Sequence, residues 1–251
     1  MIPKIIHYCW LSNDPLPKDI QEYINSWKEK LPEYQIMKWD FSMFDKSSSK
    51  WVEQAFDQRK YAFASDFIRL YAVYNYGGIY LDSDVQVLKS FDPFLCLETM
   101  IGWQCNKDGL EIACFGAEKG TEWVRKCLDY YDGREFINPN GSLNTKTLPL
   151  IIEETLKANG YKLVDVDNVT DAVKITGNNE IPVFAQDFFS PKDFNGRLTI
   201  TERTVSIHHF VASWVSPAHR IIRKMVLLLG GPKLRTCVAK LYARLNAFLK
   251  D

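Results

Sequence analysis

The chain has 251 residues, 46% of them hydrophobic and 25% charged, with a formal net charge of zero. That composition excludes a disordered, collagen-like or coiled-coil protein, and the length is enough for a substantial core. The longest apolar run near the C-terminus, Met225–Leu229, is far short of the about 20 residues that a membrane span needs.

The zero net charge conceals an asymmetry. Arg203 to Lys250 holds nine Lys/Arg and no acidic residue, leaving 22 basic and 30 acidic side chains in residues 1–202. An acidic body joined to a basic tail points either to an anionic partner for the tail or to a tail docked on its own body. Pro3, Lys4 and His7 interrupt the apolar start, so no secretory signal is expected there. Six cysteines without a CxxC pair read as reduced thiols of a cytoplasmic protein.

In chain order, Ile2 to Trp10 is an apolar run closed by the turn residues Ser12-Asn13-Asp14-Pro15, which predicts a buried first strand. Ile20, Tyr23/Ile24, Trp27 and Leu31 recur at helical spacing until Pro32. Tyr34 to Trp39 alternates as a second strand, and strand–helix–strand predicts an α/β class. Tyr61 to Tyr74 reads as a long helix with Phe63, Phe67, Leu70 and Tyr74 on one face, broken by Gly77-Gly78. Ile79-Tyr80-Leu81 is then a short strand that delivers Asp82-Ser83-Asp84 at its carboxyl end, where open α/β sheets bind ligands. Further on, residues 138–142 form a loop, Thr147–Lys157 a helix and Ile181–Phe184 a strand. After Ser216-Pro217 come two amphipathic helices separated by Gly230-Gly231-Pro232.

A DxD tripeptide alone is weak: with 18 aspartates, chance supplies about one, and Asp165-Val166-Asp167 is a second. Asp82 and Asp84 differ in setting, because they end a buried strand and can offer hard oxygen ligands to a divalent cation. A solvated acidic turn is the alternative. Asp66 and Arg69 share a helix face, as a surface ion pair or as groups that hydrogen-bond sugar hydroxyls. His208 and His209 end a predicted strand, and an imidazole there can complete a site for Mn²⁺ or cap backbone. Trp10 can stack on a base or simply pack, and Trp214 can donate its indole N–H to a phosphate oxygen. GxGxxG, GxxxxGK[ST] and GxSxG are all missing from the sequence.

Four blocks, Ile2 to Trp10, Ala64 to Arg69, Gly77 to Asp84 and His208-His209 with Ser213-Trp214, together resemble the DXD sugar-binding glycosyltransferases. That group includes bacterial capsular-polysaccharide transferases and the yeast initiating mannosyltransferase, and more distantly the clostridial glucosylating toxins. The resemblance spans about residues 1–215 and implies a GT-A, Rossmann-like fold for that segment. It also implies a nucleotide-sugar donor linked through UDP or GDP, a Mn²⁺ or Mg²⁺ ion, and transfer with retention. Trp10 matches the aromatic on the donor base. Asp66 and Arg69 match the pair on the sugar hydroxyls, with His7, Ser65, Tyr80 and Ser83 alongside. Asp82 matches the aspartate near ribose, sugar or metal, and Asp84 matches the direct metal ligand. Ser213 and Trp214 match the closing segment, and His208 and His209 both stand as the third ligand. A front-face path is favoured over a double displacement, because no carboxylate stands out as a nucleophile.

The tail, residues 216–251, carries Lys/Arg on one side and Leu/Val/Phe on the other. It therefore suits the cytoplasmic face of an anionic membrane, where a glycan or lipid-linked acceptor for surface polysaccharide would be met. No nucleic-acid partner is expected. The rival readings are a phosphohydrolase of the haloacid dehalogenase type, whose strand also ends in DxD, and a sugar- or lipid-binding adaptor without turnover.

Overall fold

The computed structural model describes residues 1–175, 177, 179–193 and 196–211. Ser213, Trp214 and the two helices expected after Ser216 lie outside the described residues. The elements in chain order are β1 (Ile5–Cys9), α1 (Lys18–Lys30), β2 (Gln35–Trp39), α2 (Lys50–Asp57), α3 (Tyr61–Tyr76), β3 (Gly78–Leu81) and β4 (Val85–Val87). They continue with β5 (Thr99–Trp103), β6 (Leu110–Ala117), α4 (Glu122–Asp129), α5 (Leu148–Ala158), β7 (Lys162–Val166), α6 (Val169–Val173), β8 (Glu180–Phe184), α7 (Gln186–Phe189) and β9 (Ser206–His208).

Among the described residues, seven strands form one sheet in the order β2-β1-β3-β6-β5-β8-β7. Only β6 runs against its neighbours: β1 is parallel to β2 and β3, and β8 is parallel to β5 and β7. The α/β class and the Rossmann-like N-terminal half expected of a GT-A fold are therefore present. A separate antiparallel ribbon, β4 with β9, sits beyond the end of β3.

Two apolar layers sandwich the sheet. Tyr80, Ile112 and Phe115 join a cluster with Trp51, Ile68, Val73 and Trp123 from the α2–α3–α4 side. Ile79, Leu81 and Cys114 join the opposite cluster with Ile20, Trp27 and Phe189. All four β3 residues are buried, as expected of a central strand covered on both faces. The α3 stripe is broader than the periodicity suggests. Leu70 is buried, Phe63, Phe67 and Tyr74 are half-buried against the same core, and Ala64, Ile68 and Ala72 are fully buried as well.

The turn from α3 into β3 explains the glycine pair. Gly77 has φ +67° and Gly78 φ +106°, and a Cβ on Gly78 would lie 2.6 Å from the Ile5 carbonyl oxygen of β1. Neither the conformation nor the approach tolerates a side chain. Gly78→Ala is expected to cost about 2–3 kcal/mol of stability. Urea unfolding measures it, and a loss below about 0.5 kcal/mol would show that β1 and β3 can separate freely.

Candidate functional site

The carboxyl end of β3 opens into a cleft of about 450 Å³ whose lining includes Trp10, Ser65, Arg69, Asp82, Asp84 and His208. Tyr80, Ser83, Tyr61 and Phe210 also border it. The first turn after β1 supplies Trp10, and α3 supplies Ser65 and Arg69. The ribbon strand β9 brings His208 opposite Val85, immediately beyond Asp84.

Arg69 organises the floor. Its side chain is 8% exposed, and Nη2 lies 3.2 Å from both Asp66 Oδ1 and Asp82 Oδ1. Nη1 donates to the Ile112 carbonyl at 3.1 Å, and the guanidinium stands over the Tyr80 ring at 4.7 Å. The Tyr80 hydroxyl donates to Asp82 Oδ1 at 3.1 Å. Asp66 and Arg69 thus form a buried network rather than a surface pair. Asp66 lies beside the cleft and is absent from its lining. Burial pushes the Asp66 carboxyl up to about 6 against the pull of Arg69.

Asp82, Asp84 and His208 each offer a donor atom within 4.8 Å of the others. His208 Nε2 lies 3.5 Å from Asp84 Oδ1, while the second Asp84 oxygen accepts the Val211 N–H at 2.7 Å. Behind the ring, Nδ1 faces Glu111 of β6 at 3.3 Å. Burial opposes charge on His208, but the Glu111 and Asp84 carboxylates outweigh it and lift the imidazole to about 9. Burial likewise raises the Asp84 carboxyl. Hard oxygens, one imidazole nitrogen and an excess of carboxylate over the single guanidinium fit a divalent cation.

The structure separates the two histidines left open by the sequence. His208 faces the acids, whereas His209 stacks on Tyr23 at 4.3 Å and its Nε2 meets Gln86 Oε1 at 3.0 Å. His209 is not placed to ligate, since its ring is taken up by α1 and β4. His7 also departs from expectation. It is fully buried, accepts the Trp39 Nε1–H on Nδ1 at 3.1 Å, and its Nε2–H donates to the Gly77 carbonyl at 2.8 Å. His7 braces the glycine turn and does not reach the donor cleft. Asp165 of the other DxD lies at the far sheet edge, where Trp103 Nε1 donates to it at 2.6 Å. Glu111 is the residue that the sequence reading passed over. A lone acid in the apolar run Leu110 to Ala117 was the available signal, because a buried charge is informative where a buried leucine is not.

The donor cluster lies at the carboxyl end of a central strand, the place where open α/β sheets bind their ligands. Residues 17–101 match the family model described as a glycosyltransferase sugar-binding region containing a DXD motif, so the chain carries that region, with Asp66, Arg69, Asp82 and Asp84 inside it. Inositol phosphoceramide mannosyltransferase 3 of Schizosaccharomyces pombe is 36% identical over 127 residues, which are 49% of this chain and 35% of that protein. Mannosyl phosphorylinositol ceramide synthase CSH1 of Saccharomyces cerevisiae is 31% identical over 197 residues, 76% of this chain and 51% of that protein. The chain thus spans about a third to a half of the length of these relatives. Among solved structures, PaToxG glycosyltransferase aligns with a TM-score of 0.47 at 20% identity, over 63% of this chain and 70% of that one.

The His7 site generates a pH prediction. Burial lowers His7 from 6.5 to about 4, so the unfolded chain takes up the proton first. The stability His7 contributes is complete above pH 6.5 and is lost as pH falls towards 4, by up to about 3 kcal/mol. The stability gap between the wild type and His7→Gln, measured by urea unfolding, is expected to narrow over that window. A gap independent of pH would contradict a neutral, buried His7.

Proposed function

We propose that this chain is a metal-dependent, retaining glycosyltransferase that moves a hexosyl group from a nucleotide sugar to a glycan or lipid-linked acceptor. The convergence of Asp82, Asp84 and His208 at the mouth of the cleft carries this reading. Two carboxylates with one imidazole favour Mn²⁺ over Mg²⁺, which takes oxygen donors and water. A cation bound there would neutralise the diphosphate of the donor and ease its departure.

The chain's own residues supply the rest. Trp10, which lines the cleft, would stack on the base of a UDP- or GDP-linked donor. Arg69 and Tyr80 hold Asp82 in one orientation, so its remaining lone pairs are preorganised for the ribose, sugar or cation. Asp66 and Asp82 are both paired with Arg69, and Asp84 is tied to the Val211 N–H, so none of these three stands apart as an unpartnered carboxylate dedicated to attack on carbon. That supports attack by the acceptor hydroxyl from the face the diphosphate leaves. It also weighs against a phosphohydrolase, in which the first aspartate, Asp82, would be the nucleophile.

The names of the relatives favour mannose as the sugar and a phosphoinositol-bearing lipid as the acceptor class, whereas a role in capsular or other surface polysaccharide rests on the resemblance of the sequence blocks alone. Among the described residues no helix is long and apolar enough to cross a membrane. The basic segment 216–251 is the part of this proposal that would bring residues 1–215 to the cytoplasmic membrane face.

Two experiments test this reading. Mn²⁺-dependent hydrolysis or transfer from nucleotide sugars should vanish on chelation, return with Mn²⁺, and fall at least about 100-fold in Asp84→Ala. Turnover that survives both chelation and Asp84→Ala would defeat the proposal, and an adaptor would show no turnover at all. Removal of residues 216–251 should abolish co-sedimentation with anionic liposomes while leaving neutral ones unaffected. Equal binding with and without the segment would exclude the membrane role.

A further inference from the structure

We infer that Glu111 is a positioning residue for the cation site, holding the His208 ring by Nδ1 so that Nε2 faces Asp84; this rests on the proposed function above. Leu110 and Ile112 of β6 face the α3 side of the sheet, so Glu111 between them points to the opposite face, where β9 crosses. There it is fully buried, with its two oxygens 3.3 and 3.5 Å from His208 Nδ1. Its Oε1 also accepts the Ala113 N–H at 3.0 Å, a second contact that holds the carboxylate in place. Phe210 packs against the imidazole with ring centroids 3.9 Å apart and limits its tilt.

A carboxylate inside a sheet wall is costly unless it is paired, and an apolar side chain would fill this position without that cost. Glu111 does not reach the cleft, so it cannot touch donor or acceptor itself. With Nδ1–H committed to Glu111, the lone pair of His208 open to a cation is the one on Nε2, which is the nitrogen nearest Asp84. A carboxylate on the far nitrogen also makes the near one a better electron donor. Glu111 therefore sets the tautomer, the orientation and the donor strength of one ligand through a single contact.

The test titrates the purified 251-residue chain with Mn²⁺ and reads free Mn²⁺ by electron paramagnetic resonance, with no substrate present. Wild type, Glu111→Gln, His208→Ala and the double variant are compared. Glu111→Gln keeps the shape and is expected to weaken Mn²⁺ binding about 10- to 100-fold. In the His208→Ala background the same change is expected to add less than about twofold, because its route to the cation is gone. Glu111→Gln binding like the wild type, or losses that simply add in the double variant, would overturn the inference while leaving the cation site in place. A wild type that fails to bind Mn²⁺ overturns the proposed function and this inference with it. Circular dichroism checks folding, and where Glu111→Gln does not fold, Glu111→Asp carries the same four-way comparison with an intermediate loss expected.

Discussion

A buried guanidinium fixes the geometry on which this site depends. Arg69 leaves α3, passes over the Tyr80 ring, and meets Asp66, Asp82 and the Ile112 carbonyl within one fork. Those groups belong to α3, the end of β3, and β6, so one planar cation locks three elements at the mouth of the cleft. Lysine could not replace it, because a single ammonium cannot span two carboxylates and a carbonyl in fixed directions. Without Arg69 the Asp66 and Asp82 carboxylates would repel, and one would protonate or turn outward. The orientation of Asp82 is thus bought on α3, thirteen positions earlier in the chain.

The second half of the site comes from a distant part of the sequence. The β4–β9 ribbon pairs Val85 with His208, and the chain then wraps back over Asp84: the His209 N–H donates to the Asp84 carbonyl, and the Val211 N–H donates to its carboxylate. Trp27 of α1 anchors the other side of β4 through the Val85 carbonyl at 2.7 Å. His209, stacked on Tyr23, fastens the returning segment to the same helix. The motif strand is thereby closed at its end by backbone rather than by a flexible side chain, and the Asp84 oxygen directed at His208 is left for chemistry.

Much of this was legible in the sequence, and the failures follow a physical pattern. The first strand, the first helix, the α3 helix and β3 were readable because each has an uninterrupted apolar face against a covered sheet. The ribbon strand β4 is three residues long, too short for any period to register, whereas its partner β9, which ends at His208, was read as a strand. In β5 and β6 the run is apolar apart from Thr99 and Glu111, since both faces are covered, and a bulge between Met100 and Gly102 shifts the register. α2 was missed although Ser49 caps it and Trp51, Val52 and Ala55 face inward, because the polar stretch before it reads as loop. Glu111 and His7 share a different difficulty: their meaning lies in partners 97 and 32 residues away, which no local pattern contains.

The two buried histidines make that last point chemically. His7 lies between an indole N–H and a backbone carbonyl, so it must donate on one nitrogen and accept on the other, and burial drives it to the neutral form. His208 lies between two carboxylates, so without a cation the same burial is overruled and the ring favours the charged form, and a cation at Nε2 would take the place of that proton. A ring that only accepts and donates to neutral groups can brace a turn and nothing more. A ring that sits where negative charge is in excess marks a place where the described residues gather more carboxylate than their own cations neutralise. That surplus, rather than the presence of histidine or of a DxD, distinguishes the end of β3 from the end of β7, where Asp165 is answered by Trp103 and Lys107 and no positive ion is called for.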